Sequence, residues 1–349
     1  MKFNNLRIAN IKSQTKDALE VTFEIPDLLK KDYEFEAGQH VALDFYLERN
    51  KYRRTYSICS SPNENKLSIC VKRQYLGIIS NYINDGFFTG LKVDVSLPFG
   101  DFFDEGQVKH GQSVFLWSGG SGITPMLSIA KYLLANRKDV NIHLVYANKD
   151  EKSVIFKETI ASMVKNYDKN FKVHHILSNP EKPLFFNKLW NKKQQNMAHT
   201  SGFIDVAFIK NLVCENATHY ICGPKGMMNV CEQALNELGV HKNDVKVEHF
   251  AGTSSVNDSN KNAKLTVVLN GKEKKIDVQG NNLLEAMLQN KIEPPYACKS
   301  GTCGTCKAIL VSGEVIMARD FALNEADKAA NKILCCQSWA KTDSVKISF

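Results

Sequence analysis

Three cysteines in one short loop constrain this chain more than any other feature. Residues 296–306 read YACKSGTCGTC, which sets Cys298, Cys303 and Cys306 at C-x4-C-x2-C spacing with glycines at 301 and 304. Two further cysteines, Cys335 and Cys336, stand side by side later in the chain. Ten cysteines in 349 residues do not suit a disulfide framework, which belongs to short secreted chains. A metal site plus buried thiols fits better. Four thiolates converging on two irons need a backbone that wraps closely, and glycine permits that. C-x4-C-x2-C with a distant fourth cysteine is a 2Fe–2S spacing. Structural zinc usually takes two separate C-x2–4-C knuckles, and only one is present here. Zinc and plain buried thiols remain as the alternatives.

The length predicts two or three domains, at roughly 150 residues each. The chain is 43% hydrophobic and 23% charged, as an ordinary soluble protein is. It has no run of about 18 apolar residues that would predict a membrane span. The first residues, MKFNNLRIANIKSQ, lack the apolar stretch of a signal peptide, so a cytoplasmic protein without membrane partners is expected. The formal charge is +8, but the basic residues are scattered with no basic-plus-aromatic stripe. A solvated surface is therefore expected, and no nucleic-acid partner.

The texture of the sequence changes along its length. Residues 6–100 carry short alternating runs (VTFEIP, HVALDFYL, RTYSICSSP, KLSICVKRQ, LKVDVSLPFG) that predict an antiparallel barrel or sandwich. One helix interrupts them, starting near Ser80. From about residue 110, strands SVFLWSGG, NIHLVYAN, KVHHILS and HYICGP alternate with helices PMLSIAKYLLA, IFKETIASMVKN and MMNVCEQALNEL. That alternation predicts a parallel, doubly wound sheet. The polar stretch AGTSSVNDSNKNA looks like a linker. Beyond it, Asn270-Gly271 between two alternating runs predicts a hairpin, and Asn282 with Glu285 three residues on predicts a helix start. The predicted organisation is a barrel over 1–106, a nucleotide-binding domain over 107–250, a linker over 251–262 and a cluster domain over 263–349.

Several motifs resemble known families. LCCQS at 334–338 is similar to the closing Leu-x-Cys-Gln of plant-type 2Fe–2S ferredoxins, which fold as a β-grasp. The resemblance makes Cys336 the fourth ligand beside Cys298, Cys303 and Cys306, and leaves Cys335 where a non-ligand usually stands. Arg54-Thr55-Tyr56-Ser57 resembles the Arg-x-Tyr-Ser flavin signature of the ferredoxin–NADP reductase superfamily. Arg54 can pair with a phosphate. The resemblance implies that Tyr56 stacks on the flavin and that Ser57 acts near the atom receiving hydride. VKRQYLGIISNYI at 71–83 looks like the second flavin segment, which adds Val71, Lys72, Gly77, Ile79 and Ser80. Helix N-terminal amides there can bind a pyrophosphate.

SGGSGITP at 118–125 follows an apolar strand and precedes a helix, the context of a phosphate-binding turn. Its Gly119, Gly120, Gly122, Thr124 and Pro125 match the superfamily's nicotinamide turn. Cys222-Gly223-Pro224 with Met227 resembles the second such turn, and the resemblance implies that Cys222 abuts the site of hydride transfer. The structural alternative for Cys222 is a buried strand-end thiol, the reading given outright to Cys59, Cys70, Cys214 and Cys231. Glu248 and Phe250, in VEHFAG, sit where the superfamily's reductase portion ends, with Phe250 near the flavin. His174 and His175 are read as structural.

The resemblance spans nearly the whole chain. It implies an NAD(P)H oxidoreductase that passes electrons through a flavin and a 2Fe–2S cluster, one at a time, to an acceptor protein. PFGDF at 98–102 and the 71–83 segment look like the FAD-using members, so FAD is expected rather than FMN. NADPH-using relatives often carry Arg at the positions of Asn179 and Phe203; Lys182 or nearby lysines are the candidate substitutes, and NADPH and NADH both stay open. The implied acceptor is an oxygenase, such as phenylacetyl-CoA epoxidase, or another redox protein such as a hybrid-cluster protein. A non-catalytic ferredoxin-like carrier is the rival of a different class, against which the three intact turns count. Residues 264–346 hold 12 Lys+Arg and 9 Asp+Glu, so an acidic docking face on the acceptor is expected.

Overall fold

The alternating runs of the N-terminal third form six antiparallel strands in the computed structural model, which describes residues 1–48, 50–181, 196–250 and 262–349. They are β1 (Phe3–Thr15), β2 (Ala18–Glu24), β3 (His40–Leu47), β4 (Asn50–Ser57), β5 (Leu67–Lys72) and β6 (Lys92–Ser96), in the order β4-β3-β6-β1-β2-β5. The two outer ends of the sheet meet through a bridge between Ile58 and Ile69, which curls it toward a barrel. Alternate residues such as Leu6, Val21, Leu43, Ile69 and Val95 fill the interior. Strand parity separates the two arginines of RRTYS. Arg53 is buried and grips Asp44 of β3 through bonds of 2.6 and 2.7 Å, whereas Arg54 is exposed. Helix α1 (Ile78–Gly86) begins two residues before Ser80, with Gly77 as its N-cap.

Residues 2–248 form one compact unit and residues 249–349 another. The first unit also holds a parallel sheet of β7 (Ser113–Gly119), β8 (Asn141–Asn148), β9 (Phe171–Leu177), β10 (Met197–Ser201), β11 (Ala217–Cys222) and β12 (Val245–Glu248), ordered β10-β9-β8-β7-β11-β12. The chain runs outward from β7 through β8 and β9 to β10, then crosses back to β11. That reversal puts a crevice at the carboxyl ends of β7 and β11, where such sheets bind ligands. Helices α2 (Ile123–Asn136) and α3 (Lys157–Asn166) contribute to one core, and α4 (Val206–Leu212) and α5 (Lys225–Glu237) to a second. The expected linker lies almost wholly on residues 251–261, and Lys182 on 182–195, both outside the described residues.

The second core stacks aromatic rings across the sheet. Phe115 of β7 lies 4.6 Å from His143 of β8 and 5.2 Å from His219 of β11, all in direct register. Trp117 Nε1 donates to His219 Nδ1 at 3.2 Å. Burial pushes His219 down to about 4 and His175 down to about 3. An unfolded histidine titrates near 6.5, so the unfolded chain takes up these protons first. Their stabilisation is full above about pH 6.5 and is lost as pH falls through 4 and 3. At pH 5 these two enclosed rings together are expected to cost about 4 kcal/mol of stability relative to pH 7.5. Urea unfolding of the first unit at the two pH values checks this, and an unchanged midpoint would contradict it.

The C-terminal unit is a β-grasp. Strands β13 (Lys264–Leu269), β14 (Lys272–Asp277), β15 (Lys307–Ser312), β17 (Lys332–Leu334) and β19 (Ser344–Ser348) form one sheet, ordered β14-β13-β19-β15-β17, with β13 and β19 parallel. The short strands β16 (Val315–Met317) and β18 (Ser338–Ala340) pair separately. The expected hairpin forms at Asn270 and Gly271, both at positive φ, as a tight turn requires. Asn282 caps α6 (Leu283–Gln289) by accepting from Glu285 N at 2.9 Å. The other helix is α7 (Glu325–Ala329). Among the described residues no helix is long and apolar enough to cross a membrane.

Candidate functional site

Four thiols come together in the C-terminal unit. Cys298, Cys303 and Cys306 lie on the loop between α6 and β15, and Cys336 on the turn after β17. The Cys298 thiol lies beside those of Cys303 and Cys336, and that contact holds it below the usual thiol range. Cys336, beside both Cys298 and Cys306, is raised in turn. Ser300 N–H donates to Cys298 Sγ at 3.4 Å, and the Thr305 hydroxyl to Cys303 Sγ at 3.2 Å. Gln337 Nε2 ties the loop to its closing turn through Lys299 O, 3.0 Å, and Cys336 O, 2.9 Å. Cys335 is fully buried among apolar side chains, and burial pushes its thiol up. Four thiols on one loop and the turn after β17 are a donor set that fits a four-cysteine, two-iron cluster.

The flavin candidates divide into two sets. Arg54 is exposed, and its guanidinium bonds to the neighbouring Arg53 O at 2.8 Å. Tyr56 is half-buried beside it and Ser57 is buried. The first turn of α1 has no side-chain cap, because its N-cap is Gly77; Ser80 instead accepts from Gln74 N and donates to Gly77 O. Exposed cation, aromatic ring and open helix start suit a flavin's phosphate and ring. Val71 and Ile79, by contrast, are buried in the barrel core, so only their backbone can meet a cofactor.

The two candidate nicotinamide turns pack against each other. A Cβ on Gly122 would overlap the Cys222 carbonyl and lie 2.6 Å from its carbon; one on Gly119 would lie 2.5 Å from Pro224 Cδ; one on Gly223 would lie 2.7 Å from Met227 Cε. Thr124 donates to Ser121 O at 3.0 Å, and Pro125 sits buried in the first turn of α2. Tyr146 supports the turn from below by donating to Gly120 O at 3.0 Å. Beside the turns runs a cleft of about 540 Å³ lined by Lys72, Gly120, Lys149, Ser178, Phe203, Pro224 and Met227, among others. Its size is that of a cofactor pocket, and its lysines suit phosphates.

The barrel and the parallel sheet meet at Ser57, whose hydroxyl donates to Glu248 Oε2 at 3.1 Å. Glu248 ends β12 in register with Cys222, which is fully buried and raised by that burial. His40 Nδ1 stands 3.9 Å from Glu248 Oε1. The sequence marks Glu248 only as lying where the reductase portion ends, and it gives no sign of His40, which reaches the site through strand pairing. Phe250 belongs to the C-terminal unit, 41% exposed. Cys59, Cys70 and Cys231 are buried, but Cys214 is exposed, because it follows the end of α4 rather than ending a strand.

Comparison with known proteins gives three matches along the chain. An oxidoreductase FAD-binding domain matches residues 5–103, an oxidoreductase NAD-binding domain residues 116–233, and a 2Fe–2S iron–sulfur cluster binding domain residues 267–341. The chain is 30% identical to one of the subunits of 1,2-phenylacetyl-CoA epoxidase from Escherichia coli (strain K12), over 99% of this chain and 98% of that one. It is also 30% identical to the ferredoxin reductase component of 3-ketosteroid-9-alpha-monooxygenase from Rhodococcus rhodochrous, over 99% and 96%. Among solved structures, phthalate dioxygenase reductase aligns with a TM-score of 0.63 and 26% identity, over 99% of this chain and 98% of that one.

Proposed function

Because the chain belongs to the FAD- and 2Fe–2S-containing reductases of the ferredoxin–NADP reductase superfamily, we propose that it draws electron pairs from NAD(P)H and delivers them singly to an oxygenase. One observation carries the reading: the Ser57–Glu248 bond joins the flavin strand of the barrel to the strand beside the nicotinamide turns. When bound, the flavin takes hydride from the nicotinamide and the cluster accepts electrons one at a time.

The chain's own residues bind, orient and exclude water. Arg54 and the α1 start hold the flavin's phosphates, with Tyr56 against its ring. The Gly119–Pro125 and Cys222–Met227 turns seat the dinucleotide, and Lys72 meets its phosphates. Ser57 and Glu248 fix a hydrogen-bonding edge where hydride arrives, with Cys222 closing the site to water. Cys298, Cys303, Cys306 and Cys336 ligate the cluster. The acceptor is the oxygenase of a system like those the relatives serve, with phenylacetyl-CoA epoxidase the first candidate.

The test is stoichiometry with a one-electron acceptor. Under anaerobic conditions two molecules of cytochrome c are expected to be reduced for each NAD(P)H consumed. No reduction with either nucleotide would overturn the reading.

A further inference from the structure

We propose that His40 is a positioning residue that holds the Glu248 carboxylate against Ser57. The inference rests on the reading of Ser57 and Glu248 as the hydride-side edge. His40 faces Ser57 across the β3–β4 pair. The two oxygens of Glu248 are divided between them: Oε2 takes the Ser57 hydroxyl at 3.1 Å, and Oε1 lies 3.9 Å from His40 Nδ1. At that distance the contact is electrostatic rather than a hydrogen bond. It is also enclosed, with the His40 and Glu248 side chains 10% and 12% exposed, so solvent screens it little.

The ring is held in a built slot. Phe99 packs edge-on at 4.1 Å. Backbone bonds in both directions join residues 40 and 99. Gly100 has φ of +116°, and a Cβ there would stand 2.8 Å from two ring atoms. Groups near the pair include Ser57 from β4, Cys222 from β11 and the Phe99–Gly100 turn. With the ring in place the carboxylate cannot swing from Ser57 without leaving the imidazole it faces.

The test uses the holoprotein with His40→Phe, His40→Gln, Glu248→Gln and the His40→Phe/Glu248→Gln double variant. His40→Phe is expected to slow the limiting rate of flavin reduction about tenfold while KM for NAD(P)H changes by less than about twofold. His40→Gln, which restores a donor, is expected to recover most of the rate, and His40→Phe is expected to add nothing to Glu248→Gln. Independently of turnover, the NMR titration midpoint of the His40 ring is expected to fall by about one pH unit in Glu248→Gln. Equal losses in both His40 variants, additivity with Glu248→Gln, or an unmoved midpoint would each overturn the proposal. If the wild-type flavin accepts no hydride, the broader reading fails while the titration still decides whether His40 and Glu248 are coupled. If His40→Phe does not fold, His40→Gln and the titration carry the test.

Discussion

Cys336→Ala is expected to remove the iron–sulfur absorbance and the electron paramagnetic resonance signal of the reduced protein, while Cys335→Ala keeps both. The two residues are neighbours in sequence but differ in what they touch. Both are buried in the same core, but the Cys336 thiol sits beside those of Cys298 and Cys306, whereas burial is the main influence on the Cys335 thiol. Losing one of four thiolates leaves an iron without a protein ligand, and for small metallo-units cluster binding is also folding energy. Delivery to an acceptor protein is therefore expected to fall to background in Cys336→Ala. Flavin reduction by NAD(P)H is expected to persist, because the first unit has its own cores. Cys335→Ala removes only a small buried group, at about 1 kcal/mol. Iron analysis with visible spectra decides it; a cluster retained in Cys336→Ala and lost in Cys335→Ala would reverse the assignment.

Gly122→Ala is expected to cut kcat/KM for NAD(P)H by about 10²- to 10³-fold with flavin and cluster spectra unchanged. The added methyl would meet the Cys222 carbonyl, which is backbone and has no rotamer to yield. Relief requires the β7–α2 turn and the β11–α5 turn to move apart. Those turns carry Gly119 to Pro125 on one side and Cys222 to Met227 on the other, so the seat for the dinucleotide opens. A loss of that size corresponds to about 3–4 kcal/mol of transition-state binding. Single-turnover flavin reduction measures it, and a rate within about twofold of wild type would contradict the packing argument.

The parts legible in the sequence are those whose chemistry is local. C-x4-C-x2-C is set by a few covalent bonds, as are Arg54–Ser57 and Gly119–Pro125. What the sequence hides is set by register. RRTYS presents two arginines, and only the pairing of β4 with β3 buries Arg53 on Asp44 and leaves Arg54 outside. Residues 40, 57 and 248 meet through β3–β4 pairing and the crossing to β12, which no spacing rule encodes. β10 is hard to read because MAHTS is mostly exposed and lacks apolar alternation; it is an edge strand held by its ladder to β9. A start for α1 near Ser80 is the natural expectation because serine is a common cap, yet Ser80 bonds back into the loop and glycine takes the cap position.

The most direct test of the central claim is an anaerobic visible-absorbance titration of the purified holoprotein with NADPH and then NADH. The account predicts flavin and iron–sulfur bands that bleach together on addition of one of the nucleotides. A protein without those bands, or a flavin that stays oxidised with both nucleotides, would contradict it.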